Sequence, residues 1–261
     1  MTSSCVTEAK QSQHSGTDST LDGKPILVGL LPRTLNVSQK ETVALSVEAE
    51  VPLMALREQG FSPITQYLSY PRVVRSLQQG TIGAGSILRY NDKWMVPDTP
   101  DFSCHDRPYI RLPLYVYKRS DDSRISDSLT TDELESFSVG YLRSVAKDVD
   151  PFIDRPNFVP ASAMHTLFKM LKNQRLDTVF ADVAIAESLS RQLNLDIQPV
   201  MQLGKLESFL CFSNKKFGKA KAKTLANNYY QQLKKLHHSG SIRHFLKLHE
   251  LEFYRDLYLP N

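Results

Sequence analysis

The chain has 261 residues, a formal net charge of +4 and an apolar fraction of 41%, all ordinary for a globular protein. This length supports one large hydrophobic core or two of medium size, and no stretch approaches the roughly 18 consecutive apolar residues of a membrane span. The lysines concentrate at 214–223 rather than forming a stripe interleaved with aromatic residues, which argues against nucleic-acid binding.

The first 21 residues are polar and rich in serine and threonine, and we expect them to form a disordered leader. They show no charged start followed by an apolar segment, so they contain no visible secretory signal. The three cysteines, Cys5, Cys104 and Cys211, are too few and too scattered for a disulfide framework or a C-x-x-C metal site. A single Cys104–Cys211 bridge remains open and would require an oxidising compartment.

Residues 24–80 alternate between strand and helix patterns. The apolar run KPILVGLLP predicts a buried strand, and VEAEVPLMALREQG places apolar residues at helical spacing before Gly60. A short strand at 64–68 and the helix YPRVVRSLQQG, which ends at Gly80, follow. This order is typical of a parallel α/β layer.

The pattern restarts in the second half of the chain. Residues 90–113 predict a long crossing segment without regular structure, and LPLYVYK at 112–118 predicts a strand. A second set follows, with the strand FSVGYL, a helix start at SVAKDV, the helix ASAMHTLFKMLKNQ and the strand DTVFAD. The strand ESFLCFS, an amphipathic helix at 217–236 and a short final helix complete the chain. The restart predicts a second lobe.

Three predicted strand-to-helix junctions carry candidate ligand contacts. Asp182 ends the strand DTVFAD, where it either caps the next helix or meets a cationic group of a ligand, because ligands of open α/β sheets bind at the carboxyl ends of strands. Arg143 and Ser144 follow another strand and either bind an anion or leave Ser144 as a plain N-cap. Tyr70 and Arg72 begin a helix after a strand, with a structural tyrosine and a solvated arginine as the alternative.

Motifs for covalent chemistry are absent from the sequence. It contains no nucleophile elbow, no phosphate-binding loop and no zinc-protease motif. His237 and His238 end a predicted helix, where favourable interaction with the helix dipole is the expected role rather than metal binding. We therefore assign no catalytic residue, no metal ligand and no cofactor.

Several segments, in their order along the chain, resemble the extracellular solute-binding proteins of the polar amino acid type, called family 3. VEAEVPLMALREQG resembles the family's first helix, with Glu48 and Glu50 on its two acids. YPRVVRSLQQGTIGA resembles a segment that begins with tryptophan, here Tyr70, and places arginine two residues later, here Arg72. LKNQRLDTVFAD resembles a motif that ends in an aspartate, here Asp182. SFLCFSNK and LKKLHHSGSIRHFLKLH are similar to the family's return strand and closing helix.

The resemblance implies an α/β protein with the two-lobed type II periplasmic binding protein fold, in which two crossing hinge strands join the lobes and closure encloses a ligand. On this basis the leader covers 1–21, lobe one covers 22–112 and 207–261, and lobe two covers 113–206.

The function that the resemblance implies is capture of a small polar, amino-acid-like solute for an ABC transporter permease or a sensor, by a monomer that does no covalent chemistry. The family's ammonium-binding aspartate falls on Asp182, and its carboxylate-binding turn falls on Arg143 and Ser144. The family's principal carboxylate arginine has no direct counterpart, and Arg89 or Arg107 would substitute for it.

The resemblance also implies export to the periplasm, with Cys5 as a lipid-anchored end if a signal segment lies upstream. Two alternative functions remain open. An enzyme on the same fold, of dehydratase or lytic transglycosylase type, would need a cleft acid with a raised pKa, such as Glu48 or Asp106. A degenerate domain that binds a protein partner would have a closed, filled, apolar cleft.

Overall fold

The structure is a computed structural model that describes residues 23–31, 47–96, 101–142, 157–248 and 257–258. The predicted leader and the predicted helix start at 144–149 therefore lie outside the described residues. Within them the chain forms ten strands and eight helices, which confirms the α/β class.

The strands and helices alternate through both halves of the chain. The strands are β1 (Lys24–Leu30), β2 (Phe61–Tyr67), β3 (Ala84–Tyr90), β4 (Lys93–Trp94), β5 (Phe102–Cys104), β6 (Ile110–Arg119), β7 (Val139–Leu142), β8 (Phe158–Ala161), β9 (Thr178–Asp182) and β10 (Ile197–Ser213). The helices are α1 (Val47–Glu58), α2 (Tyr70–Gln79), α3 (Thr131–Leu134), α4 (Met164–Lys172), α5 (Val183–Leu193), α6 (Asn214–Phe217), α7 (Lys219–His238) and α8 (Ser241–Leu248).

All ten strands belong to one mixed sheet with the order β2-β1-β3-β10-β6-β9-β7-β8, to which β4 adds beside β3 and β5 beside β10. β1 is parallel to β2 and β3, and β7 is parallel to β8 and β9. Two parallel α/β units, which we call unit one (around β1, β2 and β3) and unit two (around β7, β8 and β9), therefore lie at opposite ends of the sheet. β10 and β6 lie between the units, antiparallel to their neighbours.

β6 and β10 are the two crossing strands that the resemblance implies. The C-terminal part of β10 pairs with β3 of unit one, and β10 also pairs with β6 over most of its length. The later part of β6, from Leu114 to Lys118, pairs with β9 of unit two. Each unit therefore contributes one strand to a shared central pair, as in a two-lobed type II fold.

Separate apolar clusters cover the faces of the two units. In unit one, α1 and α7 pack on one face of the sheet and α2 on the other, because alternate residues of β1 and β10 point to opposite faces. In unit two, α4 and α5 cover one face and α3 with its preceding loop covers the other. The predicted lobe boundaries at residues 112 and 206 stay a prediction, because one sheet runs through both units.

The crossing region differs most from the prediction. The strand predicted at 207–213 is only the C-terminal end of β10, which begins at Ile197. Its first part contains Pro199, Gly204 and two register shifts against β6, so its sequence lacks the alternation that identifies a strand. The prediction of irregular structure at 90–113 is wrong in part, since β4, β5 and the start of β6 lie there.

Cys104 and Cys211 form a disulfide that answers the question left open by the sequence. They are direct cross-strand partners in β5 and β10, at positions 107 residues apart. The bridge therefore fixes the segment before β6 to the crossing strand β10.

Candidate functional site

The carboxyl ends of strands from both units meet at the crossing strands. β3 ends at Tyr90, which lies opposite Leu206 of β10. Leu206 lies opposite Leu112 of β6, and two residues further along β6, Leu114 lies opposite Asp182 at the end of β9. Because ligands of open α/β sheets bind at the carboxyl ends of strands, this junction between the units is the candidate binding site.

Asp182 is a buried acid at this junction, with an exposed fraction of 5%. Its side chain accepts a hydrogen bond of 3.0 Å from the backbone N–H of Ile185 and thereby caps α5. Burial raises the pKa of Tyr117, and the negative charge of Asp182 raises it further. The helix-cap interpretation is confirmed. The ligand contact stays a prediction.

Tyr70 connects the first turn of α2 to the end of β3. Its phenol oxygen accepts a hydrogen bond from the backbone N–H of Leu88 at 3.4 Å. Burial raises the pKa of Tyr70, so the phenol keeps its proton and can donate to an acceptor at neutral pH. Arg72, two residues further along α2, is exposed, and its backbone N–H donates to the carbonyl oxygen of Ser69 at 2.8 Å.

Arg89 belongs to an ionic cluster at the end of β3. Glu207 of β10 is fully buried and lies between two arginines in register, Arg89 of β3 and Arg111 of β6. The Nε of Arg89 donates to Glu207 Oε2 at 2.7 Å, and the Nε of Arg111 donates to Glu207 Oε1 at 2.9 Å. The Nζ of Lys205 lies 4.0 Å from the same carboxylate. We call these four residues the junction cluster.

Two aromatic rings hold the guanidinium group of Arg89. Its central carbon lies 4.7 Å from the ring centre of Phe209 and 5.5 Å from that of Trp94. The two rings also contact each other, with centres 4.6 Å apart. Cation–π contact and the ion pair with Glu207 therefore fix one orientation of this arginine.

Glu207 and Arg111 are not among the site residues predicted from the sequence. The signal was present, since Glu207 is the only acid in the apolar run ESFLCFS, where an unpaired carboxylate would be expensive to bury. The partner strands were not recognisable as neighbours of β10 without the sheet order. The pairing therefore could not be deduced from sequence.

The remaining candidates do not come together at the junction within the described residues. Arg143, Ser144 and the side chain of Glu48 lie outside them. Asp106 is exposed and forms an ion pair of 2.9 Å with Lys223, whose hydrogen bond lowers the pKa of Asp106. A lowered pKa is the opposite of what the enzyme alternative requires.

Metal binding and membrane insertion find no support in the described part of the chain. There, no group of three or more His, Cys, Asp or Glu side chains is arranged to hold a metal ion. None of the described helices is both long enough and apolar enough to span a bilayer.

Solved structures of binding proteins and of a sensor domain share this fold. A protein of glutathione import through GshT and the cystine ABC importer TcyBC of Streptococcus mutans matches with a TM-score of 0.65 at 15% identity, over 92% of this chain and 98% of that chain. A histidine kinase sensor domain with similarity to periplasmic binding proteins matches with a TM-score of 0.64 at 13% identity, over 92% and 97% of the two chains.

A third structure is AbpA of Streptococcus pneumoniae, an amino acid ABC transporter substrate-binding protein bound to L-arginine. It matches with a TM-score of 0.60 at 17% identity, over 89% of this chain and 96% of that chain. No family model matches the sequence, and no curated protein matches it either. The structural similarities confirm the type II periplasmic binding protein fold over most of the chain.

Proposed function

We propose that this protein is a solute-binding protein that encloses a small polar, amino-acid-like solute between its two α/β units and does no covalent chemistry. The observation that carries the proposal is the meeting of strand ends from both units at one place on β6 and β10, with the buried acid Asp182 at that place. The similar structures include amino-acid-binding proteins of ABC transporters, which supports this class of ligand.

Asp182 is the proposed contact for an ammonium group of the solute. Closure of the units around the solute would remove water from this ion pair and strengthen it. Arg89, Tyr70 and Arg72 are the proposed contacts from unit one. Arg143 and Ser144, outside the described residues, stay predictions as contacts for a carboxylate.

The proposed compartment is the periplasm. The Cys104–Cys211 disulfide supports it, because structural disulfides persist in oxidising compartments. Lipid attachment at Cys5 is a separate part of the proposal, and Cys5 lies outside the described residues. Mass spectrometry of the N-terminus of the native protein tests this part, since a lipidated cysteine supports it and an unmodified Met1 contradicts it.

The proposed partner is an ABC transporter permease or a sensor protein that receives the loaded monomer. Both kinds of system occur among the similar structures, which include a substrate-binding protein and a kinase sensor domain. The enzyme alternative has less support, because the carboxylate of Asp106 is already paired with Lys223.

A thermal-shift panel of amino acids, small carboxylates and amines tests the proposed function. A solute at a hundred times its dissociation constant adds about 2.7 kcal/mol to the free energy of unfolding, so a true ligand gives a clear shift. The panel is run in parallel on Asp182→Asn, because asparagine still caps a helix but carries no charge. The exposed Asp132, in the first turn of α3, provides the control variant Asp132→Asn.

The expected result is a shift for at least one solute in the wild-type protein and in Asp132→Asn, and a much smaller shift in Asp182→Asn. A panel without any shift in the wild-type protein would contradict solute binding.

A further inference from the structure

We propose that Arg89 and Arg111, held in place by Glu207, form a binding site for a carboxylate or phosphate group at the junction of β3, β10 and β6. The site contains Arg89, which the proposed function already assigns to the solute, and adds Arg111 as a second anion contact with Glu207 as its positioning residue.

The hydrogen bonds of the junction cluster leave most donors of the two arginines available. A guanidinium group has five N–H donors. Each arginine uses only its Nε–H donor in the hydrogen bond to Glu207. The terminal nitrogens of both groups donate to none of the described residues. The side chains of Arg89 and Arg111 are 19% and 33% exposed, so an anion can reach them.

The charges of the junction cluster do not balance. Three cations, Arg89, Arg111 and Lys205, surround the single carboxylate of Glu207. Lys205 has a second partner, Asp92, at 3.2 Å. With Asp92 included, these described residues carry three positive and two negative charges.

The two guanidinium groups are also fixed before any ligand arrives. Each is carried by a strand of the sheet, and both bond to the same buried carboxylate, which lies between them in register. Arg89 is further held by Trp94 and Phe209. Rigid arginines lose little conformational entropy on binding, and their planar forks match the geometry of carboxylate and phosphate oxygens.

The anionic group has two sources, which experiment separates. One is an acidic side chain of the captured solute, and this source rests on the proposed function. The other source is a free anion such as inorganic phosphate.

Isothermal titration calorimetry of the full chain tests the site with three probes, which are L-glutamate, its neutral isostere L-glutamine, and inorganic phosphate. The variant is Arg111→Gln, since Arg111 is partly exposed and its loss leaves Arg89 paired with Glu207. Arg243→Gln is the matched control, because Arg243 is an exposed arginine of α8. Thermal unfolding of each variant confirms that it is folded.

If the group belongs to the solute, the wild-type protein binds L-glutamate at least tenfold more tightly than L-glutamine, and Arg111→Gln removes this preference while Arg243→Gln keeps it. If the group is a free anion, phosphate binds to the wild-type protein and at least tenfold more weakly to Arg111→Gln. Either affinity should fall as ionic strength rises. The proposal is overturned if the wild-type protein neither prefers L-glutamate nor binds phosphate, or if Arg111→Gln binds both probes like Arg243→Gln.

Comparison of Asp182→Asn with Arg111→Gln distinguishes failure of the anion site from failure of the proposed function. Loss of solute binding in Asp182→Asn together with an unchanged glutamate preference and phosphate affinity in Arg111→Gln would reject the anion site and keep the solute receptor. Retained solute binding in Asp182→Asn with a loss of anion binding in Arg111→Gln would keep the anion site and reject the placement of the solute at Asp182.

Discussion

Two ionic clusters lie near opposite ends of the crossing strand β6, and they are built differently. The junction cluster lies near the start of β6, around Arg111. At the other end, buried Lys118 and Arg119 enter a second group, which we call the loop cluster. Its members are Lys118, Arg119, Asp121, Asp122, Arg124, Asp127 and Asp177.

Every cation of the loop cluster is paired with at least one carboxylate. The Nζ of Lys118 donates to the carbonyl oxygen of Ile125 at 2.6 Å and to Asp127 at 2.7 Å. The guanidinium group of Arg119 donates to two carboxylates and to the carbonyl oxygen of Leu171. Four acids meet three cations there, whereas the junction cluster has a surplus of cations. We infer that the loop cluster serves to hold the loop after β6, and that the junction cluster keeps charge available for a ligand.

Removing a buried acid from the loop cluster should have the largest effect on stability. Asp122→Ala leaves Arg119 buried without its main counter-charge, so we expect a loss of about 3 to 5 kcal/mol in the free energy of unfolding, measured by urea denaturation. Asp121→Ala is the matched control, because Asp121 pairs with the same arginine but is 78% exposed, and we expect less than about 1 kcal/mol. Equal losses in the two variants would contradict a structural role for the buried pair.

Breaking the disulfide, which lies near the junction cluster, should have the next largest effect on the free energy of unfolding. The double variant Cys104→Ala with Cys211→Ala releases β5 from β10 four residues from Glu207, and we expect a loss of about 2 to 4 kcal/mol. Urea denaturation of wild type and variant, each with and without a reductant, measures it. Reductant should lower the stability of the wild-type protein only. A variant as stable as the oxidised wild-type protein would show that the bridge does not brace this region.

Acid should weaken the loop cluster. A hydrogen bond from Arg124 lowers the pKa of Asp122, and one from Lys118 lowers the pKa of Asp127. Because the folded pKa values lie below the unfolded value near 3.8, this stabilisation is fully present above pH 3.8 and is lost as pH falls through the folded values. We therefore expect Asp122→Asn to unfold with a weaker pH dependence below pH 4 than the wild-type protein, by urea titration at each pH.

The smallest effect is expected for the aromatic ring beside Arg89. Trp94→Leu removes one of its two cation–π contacts, so we expect a loss of about 0.5 to 1 kcal/mol in stability and a few-fold weaker binding of the anionic probe. Trp94→Phe keeps an aromatic ring, so its affinity for the anionic probe should lie between those of the wild-type protein and Trp94→Leu. Calorimetry of the three proteins with the tightest-binding anionic probe measures these affinities. Wild-type affinity in Trp94→Leu would mean that Phe209 and Glu207 alone position the arginine.

Elements that depend on consecutive residues could be predicted from the sequence. The apolar runs in KPILVGLLP and DTVFAD were enough to predict β1 and β9, because a buried strand is visible as a run of consecutive apolar residues. Capping was one of the two alternatives for Asp182, and it is confirmed, since strand end and helix start are adjacent in sequence. Local patterns therefore carried the fold class and the position of this residue.

The junction cluster could not be predicted, because its members are brought together only by the sheet order. Arg89 and Glu207 are separated by 118 residues, and Arg111 and Glu207 by 96. The start of β10 also escaped prediction, since its bulges break the alternation that a regular strand shows. Features that depend on pairing between distant strands need the structure, whereas features written in consecutive residues do not.

The most direct test of solute capture at the junction is calorimetric titration of the best thermal-shift solute into the wild-type protein, Asp182→Asn and Asp132→Asn. The proposed function predicts one solute bound per chain, with about 10- to 100-fold weaker binding in Asp182→Asn, because a hydrogen bond to a charged group is lost while the helix cap is kept. Asp132→Asn should match the wild-type protein. Equal affinity in all three proteins would contradict the placement of the solute at Asp182.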